Sequence, residues 1–275
     1  MKKLYITDLD GTLLDKNSQV SNTSSNIINN LIKEGVFFTY ATARSYKSSS
    51  IITKGLNINL PVIIYNGAFI YDIKSNRFLH KVTFNKEQIR ELIDFTKKHN
   101  YIPLVYTLIN GKEKVFWNCN GKLSEGFNYY LSNRQNDRRM TPVNSIEESF
   151  CGDVFYVTFI ESHDDLLPLY NGIKDNKNYN TVFQQEIYRE EYWCEIMPSE
   201  ATKANAALKL KEILNCKSLE VFGDSLNDIP MFNISDRSYA VMNSVDKLKS
   251  IATEVIGYNY EDSVALKLKE LENKR

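Results

Sequence analysis

Cysteine and histidine are scarce in this chain, and where they occur they are scattered. The four cysteines, Cys119, Cys151, Cys194 and Cys216, make no Cys-x-x-Cys pair, and the three histidines, His80, His99 and His163, do not gather beside them. Neither a disulfide framework nor a zinc site is therefore expected. A surplus of charge is missing too: 34 basic side chains face 34 acidic ones, so neither a nucleic acid nor an anionic membrane is favoured as a standing partner. No apolar run approaches the length that spans a bilayer. The chain opens directly on an apolar strand, which leaves no room for a cleavable signal peptide and makes the cytoplasm the expected location. Internal repeats and low-complexity tracts are lacking as well. The expected partner is a small molecule.

What is present is a core-forming composition, 43% hydrophobic over 275 residues, enough for one large domain or two ordinary ones. Residues 4–7 form an apolar, β-favouring run; Ile27, Ile28, Leu31 and Ile32 recur at helical spacing until Gly35; residues 36–40 and 61–65 are further apolar runs. Continuous apolar strands separated by helices are the pattern of a parallel sheet covered on both faces. Between residues 84 and 187 the pattern becomes mixed, with adjacent strands as well as helices, and the polar stretch 133–145 reads as an exposed connection. Alternation resumes with a helix over 201–214, a short strand at 219–222 and a strand at 239–242. The expected fold is α/β, a Rossmann-like, doubly wound parallel-sheet core made of residues 1–83 and 188–275, with an α+β domain inserted at 84–187.

Four features sit at strand ends or early in helices. The first strand stops at Asp8-Leu9-Asp10-Gly11-Thr12. Loops at the carboxyl ends of strands in an open α/β sheet form the ligand crevice, and Gly11 lets the chain turn at once. A side-chain oxygen of Asp8 and the main-chain carbonyl of Asp10 can then approach one point, an arrangement that hard cations such as magnesium favour. The competing reading is an ordinary Asp-Gly turn. Thr42 ends the second strand and has a hydroxyl to offer a phosphate oxygen, although a strand-end threonine commonly does no more than begin a turn. Lys203 lies early in the 201–214 helix, where a solvated lysine would be unremarkable. Gly223-Asp224-x-x-Asn227-Asp228 follows another apolar strand; a helix cap accounts for one of its acids but not for the Asn-Asp pair.

In this order the four features resemble the haloacid dehalogenase superfamily, most of whose members are phosphatases. Asn66-Gly67 after the third strand and Asn227-Asp228 in the last motif make the chain similar to the Cof-type branch, which inserts an α+β cap between the second and third motifs. The resemblance covers the whole chain. It implies magnesium held by Asp8, the Asp10 carbonyl and Asp224, with Asp228 and Asn227 supporting the metal shell. It implies that Asp8 attacks phosphorus, that Asp10 serves as acid and base, and that Thr42, Lys203 and local amides, Gly11 and Ala43 among the positions, hold phosphate oxygens. Arg44, Asn66, Asn227 and the Tyr188 and Arg189 region are the expected substrate contacts. The cap is expected to close over the site and recognise the leaving group. Two departures stand out: Ala43 and Ala204 occupy places where the family usually has glycine. The expected activity is hydrolysis of a small phosphate monoester, a sugar phosphate first among them. A phosphomutase of the same fold and a phosphate-ligand sensor without turnover are the rivals.

Overall fold

The computed structural model describes residues 2–185 and 189–274. The chain divides into two compact units, Met1–Lys81 with Ala201–Arg275, and Val82–Glu200.

In the first unit, Leu4, Tyr5 and Ile6 are all fully buried, because the Lys3–Thr7 strand lies inside a parallel sheet covered on both faces. The five strands run in the order Glu254–Val255, Arg237–Ala240, Ser218–Gly223, Lys3–Thr7, Phe37–Tyr40, and every neighbouring pair is parallel. Leu4, Ile6, Leu219 and Val221 pack against Ala204, Ala207, Leu210, Met231 and Phe232 of the Lys203–Ile213 and Ile229–Ile234 helices. Tyr5 points the other way and donates its hydroxyl to Glu272 of the Ser263–Asn273 helix, 2.6 Å away. The chain leaves Lys3–Thr7 toward one side of the sheet and returns on the other, so the boundary with Ser218–Gly223 is a topological switch point. Thr7 pairs with Phe222 there, which sets the acids that follow the two strands side by side.

The 61–65 run departs from expectation in one respect. Val62–Ile64 is a strand, but among the described residues its backbone pairing with the parallel sheet is limited to an isolated bridge between Ala41 and Ile63. It leads instead into an antiparallel sheet with Phe69–Asp72 and Arg77–Lys81. The reversal happens at Tyr65, Asn66 and Gly67, whose φ angles of 50°, 53° and 97° are all left-handed, a conformation that parallel βαβ winding does not use.

The second unit is a six-stranded sheet in the order Tyr179–Gln185, Tyr192–Pro198, Asp153–Glu161, Leu104–Ile109, Lys112–Asn118, Met140–Val143. Val105, Val157, Phe159 and Ile196 meet Leu92, Leu166 and Leu169 of the Lys86–His99 and His163–Ile173 helices in its core. Two expectations change. Tyr192–Pro198 pairs antiparallel with both Tyr179–Gln185 and Asp153–Glu161, and that ladder carries the second unit to residue 200 instead of 187. The 133–145 stretch contains a real strand, Met140–Val143, parallel to Lys112–Asn118. Its Pro142 and edge position hid it from pattern reading. Tyr188 lies outside the described residues. Among the described residues no helix is long and apolar enough to cross a membrane.

Candidate active site

The Asp8 N–H still belongs to the sheet, donating to the Phe222 carbonyl at 3.0 Å. The chain then breaks away at Gly11, whose φ is +74°. A Cβ at Gly11 would collide with the Asp224 carboxylate, so glycine is needed there both for the turn and for the close approach. Next to it Thr12 donates to Asp224 Oδ1 at 3.0 Å. The Asp8, Asp224 and Asp228 side chains each bring a carboxylate oxygen into a group spanning no more than 4.8 Å.

Lys203 is the first residue of its helix, which Thr202 caps by accepting the Asn205 N–H at 3.1 Å. A cation at a helix N-terminus faces the positive end of the dipole, so local preference does not explain this lysine. Its contacts do. Lys203 is 2% exposed, and its Nζ lies 2.8 Å from Asp8 Oδ1 and 2.8 Å from Asp228 Oδ1. Asp228 Oδ2 accepts the N–H groups of Asp224 and Ser225 at 3.0 and 3.1 Å. Both Asp228 oxygens are thus engaged by protein donors, and this acid holds the Lys203 ammonium and the 223–225 loop together.

Three buried or half-buried carboxylates share one ammonium, so the cluster carries two negative charges in excess when all three are ionised. Burial raises the Asp8 carboxyl well above its ordinary value, and Asp228 and Asp224 add to the rise while Lys203 opposes it. Asp224 is pushed up to about 6, by burial first and then by the charge of Asp228. For Lys203 burial acts downward, but Asp228 and Asp8 together outweigh it and the ammonium is held above its usual value. An all-oxygen donor set with this excess of negative charge fits a hard divalent cation. Asp8 and Asp224 have carboxylate oxygens that could hold it, whereas both Asp228 oxygens are already taken by protein donors.

The pH response follows from these signs. An Asp224 titrating near 6 in the fold, above its ordinary value of 3.8, keeps a proton that the unfolded chain releases between those values. The metal-free protein therefore loses stability from this group as pH rises from about 4 through 6. Cation binding needs the ionised form, so metal affinity rises over the same range. We expect magnesium to raise the melting temperature more at pH 7 than at pH 5, and Asp224→Asn to flatten that difference. Equal magnesium-induced shifts at both pH values would contradict the assignment of Asp224.

The remaining expected positions divide into two groups of contacts. Arg44 forks onto Asp10, with Nε and Nη2 donating to the two carboxylate oxygens at 2.7 and 2.6 Å; Asp10 is about half exposed. Thr42 is buried, and its Oγ1 accepts the Arg44 N–H at 3.1 Å, which leaves its hydroxyl proton to donate. Ala43 between them is exposed. Asn66 accepts from Asn227 Nδ2 at 3.1 Å, tying the turn after Val62–Ile64 to the last motif. A Cβ at Gly67 would run into the Thr202 carbonyl, so that turn seats directly on the start of the Lys203 helix. Arg189 belongs to the second unit, where it pairs with Glu191. Sequence reasoning gave no role to Thr12, though it stands inside the opening motif. It missed Asn243, whose Nδ2 donates to the Gly11 carbonyl at 2.7 Å; a loop asparagine far along the chain carries no signal for that contact.

Both the sequence and the fold have known relatives. The family described as haloacid dehalogenase-like hydrolase matches residues 5–268. A 5-amino-6-(5-phospho-D-ribitylamino)uracil phosphatase of Bacillus subtilis is 24% identical over 276 residues, covering 97% of this chain and 96% of the relative. A pyridoxal phosphate phosphatase of Escherichia coli is 24% identical over 271 residues, covering 96% of each chain. Among solved structures, a protein from Thermotoga maritima superimposes with a TM-score of 0.80 at 23% identity, over 98% of this chain and 97% of its own.

Proposed function

The chain belongs to the haloacid dehalogenase-like hydrolases and is a phosphatase, and we propose that it hydrolyses small phosphate monoesters, sugar phosphates first among them, by way of an aspartyl-phosphate on Asp8. The observation that carries this reading is the Lys203 ammonium held between Asp8 and Asp228, with Asp224 beside them. The relatives' names fit the class: one substrate is a phosphorylated ribityl compound and the other a phosphorylated pyridine derivative. We take magnesium as the cofactor and the cytoplasm as the location.

Hydrolysis of a phosphate monoester is slow without a catalyst because an anionic ester repels nucleophiles and an alkoxide is a poor leaving group. Magnesium, when bound by Asp8, the Asp10 carbonyl and Asp224, supplies positive charge that offsets the charge of the phosphate. Lys203 fixes Asp8 through one carboxylate oxygen and leaves the other to attack. In the first half-reaction an Asp8 oxygen bonds to phosphorus, the ester P–O bond breaks, and the leaving oxygen takes a proton from Asp10. In the second, water bonds to phosphorus, the bond to Asp8 breaks, and Asp10 accepts the water's proton. The Arg44 fork occupies both Asp10 carboxylate oxygens. For Asp10 to deliver a proton in the first, that fork must part. Thr42 and the amides near Gly11 and Ala43 donate to the non-bridging oxygens, and the linked Asn66 and Asn227 line the same group of loops.

Phosphate release across phosphorylated sugars, nucleotides and cofactors tests the reading. With magnesium we expect release from sugar phosphates; a chelator should abolish it and added magnesium restore it. Full activity after exhaustive chelation would sink the metal assignment. A hexose phosphate converted to an isomer without free phosphate would make the protein a mutase. Binding of esters with no release from any of them would make it a sensor.

A further inference from the structure

We propose that the second unit carries a recognition pocket for a flat ring bearing an anionic group, built wholly from its own residues. The cavity has a volume of about 350 Å³, the size of site that takes a small organic molecule. One wall is the Glu125–Ser132 helix, on which Gly126, Tyr129 and Tyr130 fall on one face at three- and four-residue spacing. The opposite wall is the sheet, where Ile160 and Trp193 are register partners on neighbouring strands.

Three aromatic rings, those of Tyr129, Tyr130 and Trp193, line the cavity beside its charged groups. Tyr130 is buried, and its hydroxyl shares a 2.7 Å hydrogen bond with that of Tyr106. Trp193 stands edge to face with Tyr130, the ring centroids 5.5 Å apart. Ring surfaces fixed in this way suit a flat partner that stacks on one and abuts the other.

The charges select the partner's sign. Two arginines line the cavity, each laid on a tyrosine: Arg189 over Tyr129 at 4.1 Å and Arg134 over Tyr130 at 3.5 Å. Arg189 is neutralised by a two-toothed pair with Glu191, the shortest contact being 2.6 Å. The Arg134 guanidinium donates one hydrogen bond, to the Tyr130 carbonyl at 3.3 Å, and among the described residues no carboxylate pairs with it. One guanidinium therefore keeps its charge and most of its N–H donors, at the rim of an aromatic slot. A planar ring with a carboxylate, phosphate or acidic ring oxygen complements both features. Such a group arrives either as the organic part of a substrate or as a free effector. The pocket needs no turnover to bind it, so its test stands apart from that of the phosphatase reading.

The experiment is calorimetric titration of the full chain with nicotinate, a flat carboxylate. Cyclohexanecarboxylate, equally charged but puckered, and nicotinamide, flat but neutral, are the controls. We expect nicotinate to bind with a Kd of about 1 mM or tighter and both controls at least about tenfold more weakly. Arg134→Gln should weaken nicotinate by about tenfold, the loss of one charge-assisted hydrogen bond, with the melting temperature unchanged. A merely structural arginine would do the reverse. Nicotinate bound no better than cyclohexanecarboxylate, or bound equally by Arg134→Gln, overturns the proposal. Competition of nicotinate with a ring-bearing phosphate ester in phosphate release, and not with glycerol 3-phosphate, marks the organic part of the substrate. Saturable binding without competition marks an effector.

Discussion

Asp8→Asn is expected to lower turnover by at least about 10⁴-fold, the scale on which removal of a covalent nucleophile acts, while leaving the fold at least as stable in the absence of metal. The first half follows from the chemistry: an amide oxygen does not attack phosphorus at a useful rate, so no aspartyl-phosphate forms. The second follows from the electrostatics. Asp8 is buried among more carboxylates than one lysine can offset, and burial already drives it toward its neutral form. Asparagine keeps an oxygen for Lys203 without the excess charge, and Lys203 retains Asp228 as its counterion. Asp10→Asn gives the informative contrast. It keeps the nucleophile but loses proton transfer in both half-reactions, and it breaks the fork from Arg44. An aryl phosphate, whose leaving group needs less protonation, should still load Asp8 in that variant, and the phosphoenzyme should then hydrolyse slowly. Rapid-quench measurement of phosphoenzyme and free phosphate, with an alkyl and an aryl ester on both variants, reads these differences. Phosphoenzyme on the Asp8→Asn protein, or parent-rate turnover of the alkyl ester by Asp10→Asn, would show that the roles are wrongly assigned.

The acids at the strand ends were legible because two signals coincide there: an apolar run with no alternation, and an abrupt change to Asp and Gly. Asp8 and Asp224 follow adjacent parallel strands, so reading the strands placed the acids. Lys203 was legible only through the order of motifs, since nothing local distinguishes a buried helix lysine from a solvated one; its identity as a bridge needs Asp228, 25 residues away. The Arg44 fork was not legible at all. Sequence placed Arg44 near a substrate and Asp10 near a leaving group, but a pair 34 residues apart is formed by tertiary structure alone. The same limit explains the second unit's boundary. Residues 192–198 have the composition of any strand, and which sheet they join is decided by ladders to Tyr179–Gln185 and Asp153–Glu161, contacts that periodicity does not encode. Met140–Val143 failed for another reason: it is an edge strand with a proline, a composition that mimics a loop.

Lys203→Met should be among the most damaging single substitutions to the fold, and the way the damage responds to acid tests the whole account of the site. Methionine fills much of the same space, so the loss is chiefly that of charge. Removing one partner of a buried ion pair costs about 3–5 kcal/mol, and here two carboxylates, Asp8 and Asp228, lose their counterion together. The remaining acids can relieve the strain only by taking up protons. The destabilisation is therefore expected to be largest at pH 7 to 8 and to shrink toward pH 5, where the Asp224 carboxyl, titrating near 6, becomes neutral. Adding Asp228→Asn removes one stranded charge, and the double variant should recover part of the stability. It should recover none of the activity, because Asp8 then has no ammonium to orient it and phosphate oxygens have lost a donor; turnover should stay at least about 100-fold below the parent. Thermal unfolding of the parent, Lys203→Met and the double variant at pH 5, 7 and 8, alongside phosphate release with magnesium, supplies the comparison. If Lys203→Met unfolds at the parent temperature at pH 8, or if its deficit grows on acidification, the lysine does not neutralise this cluster and the mechanism built on it fails.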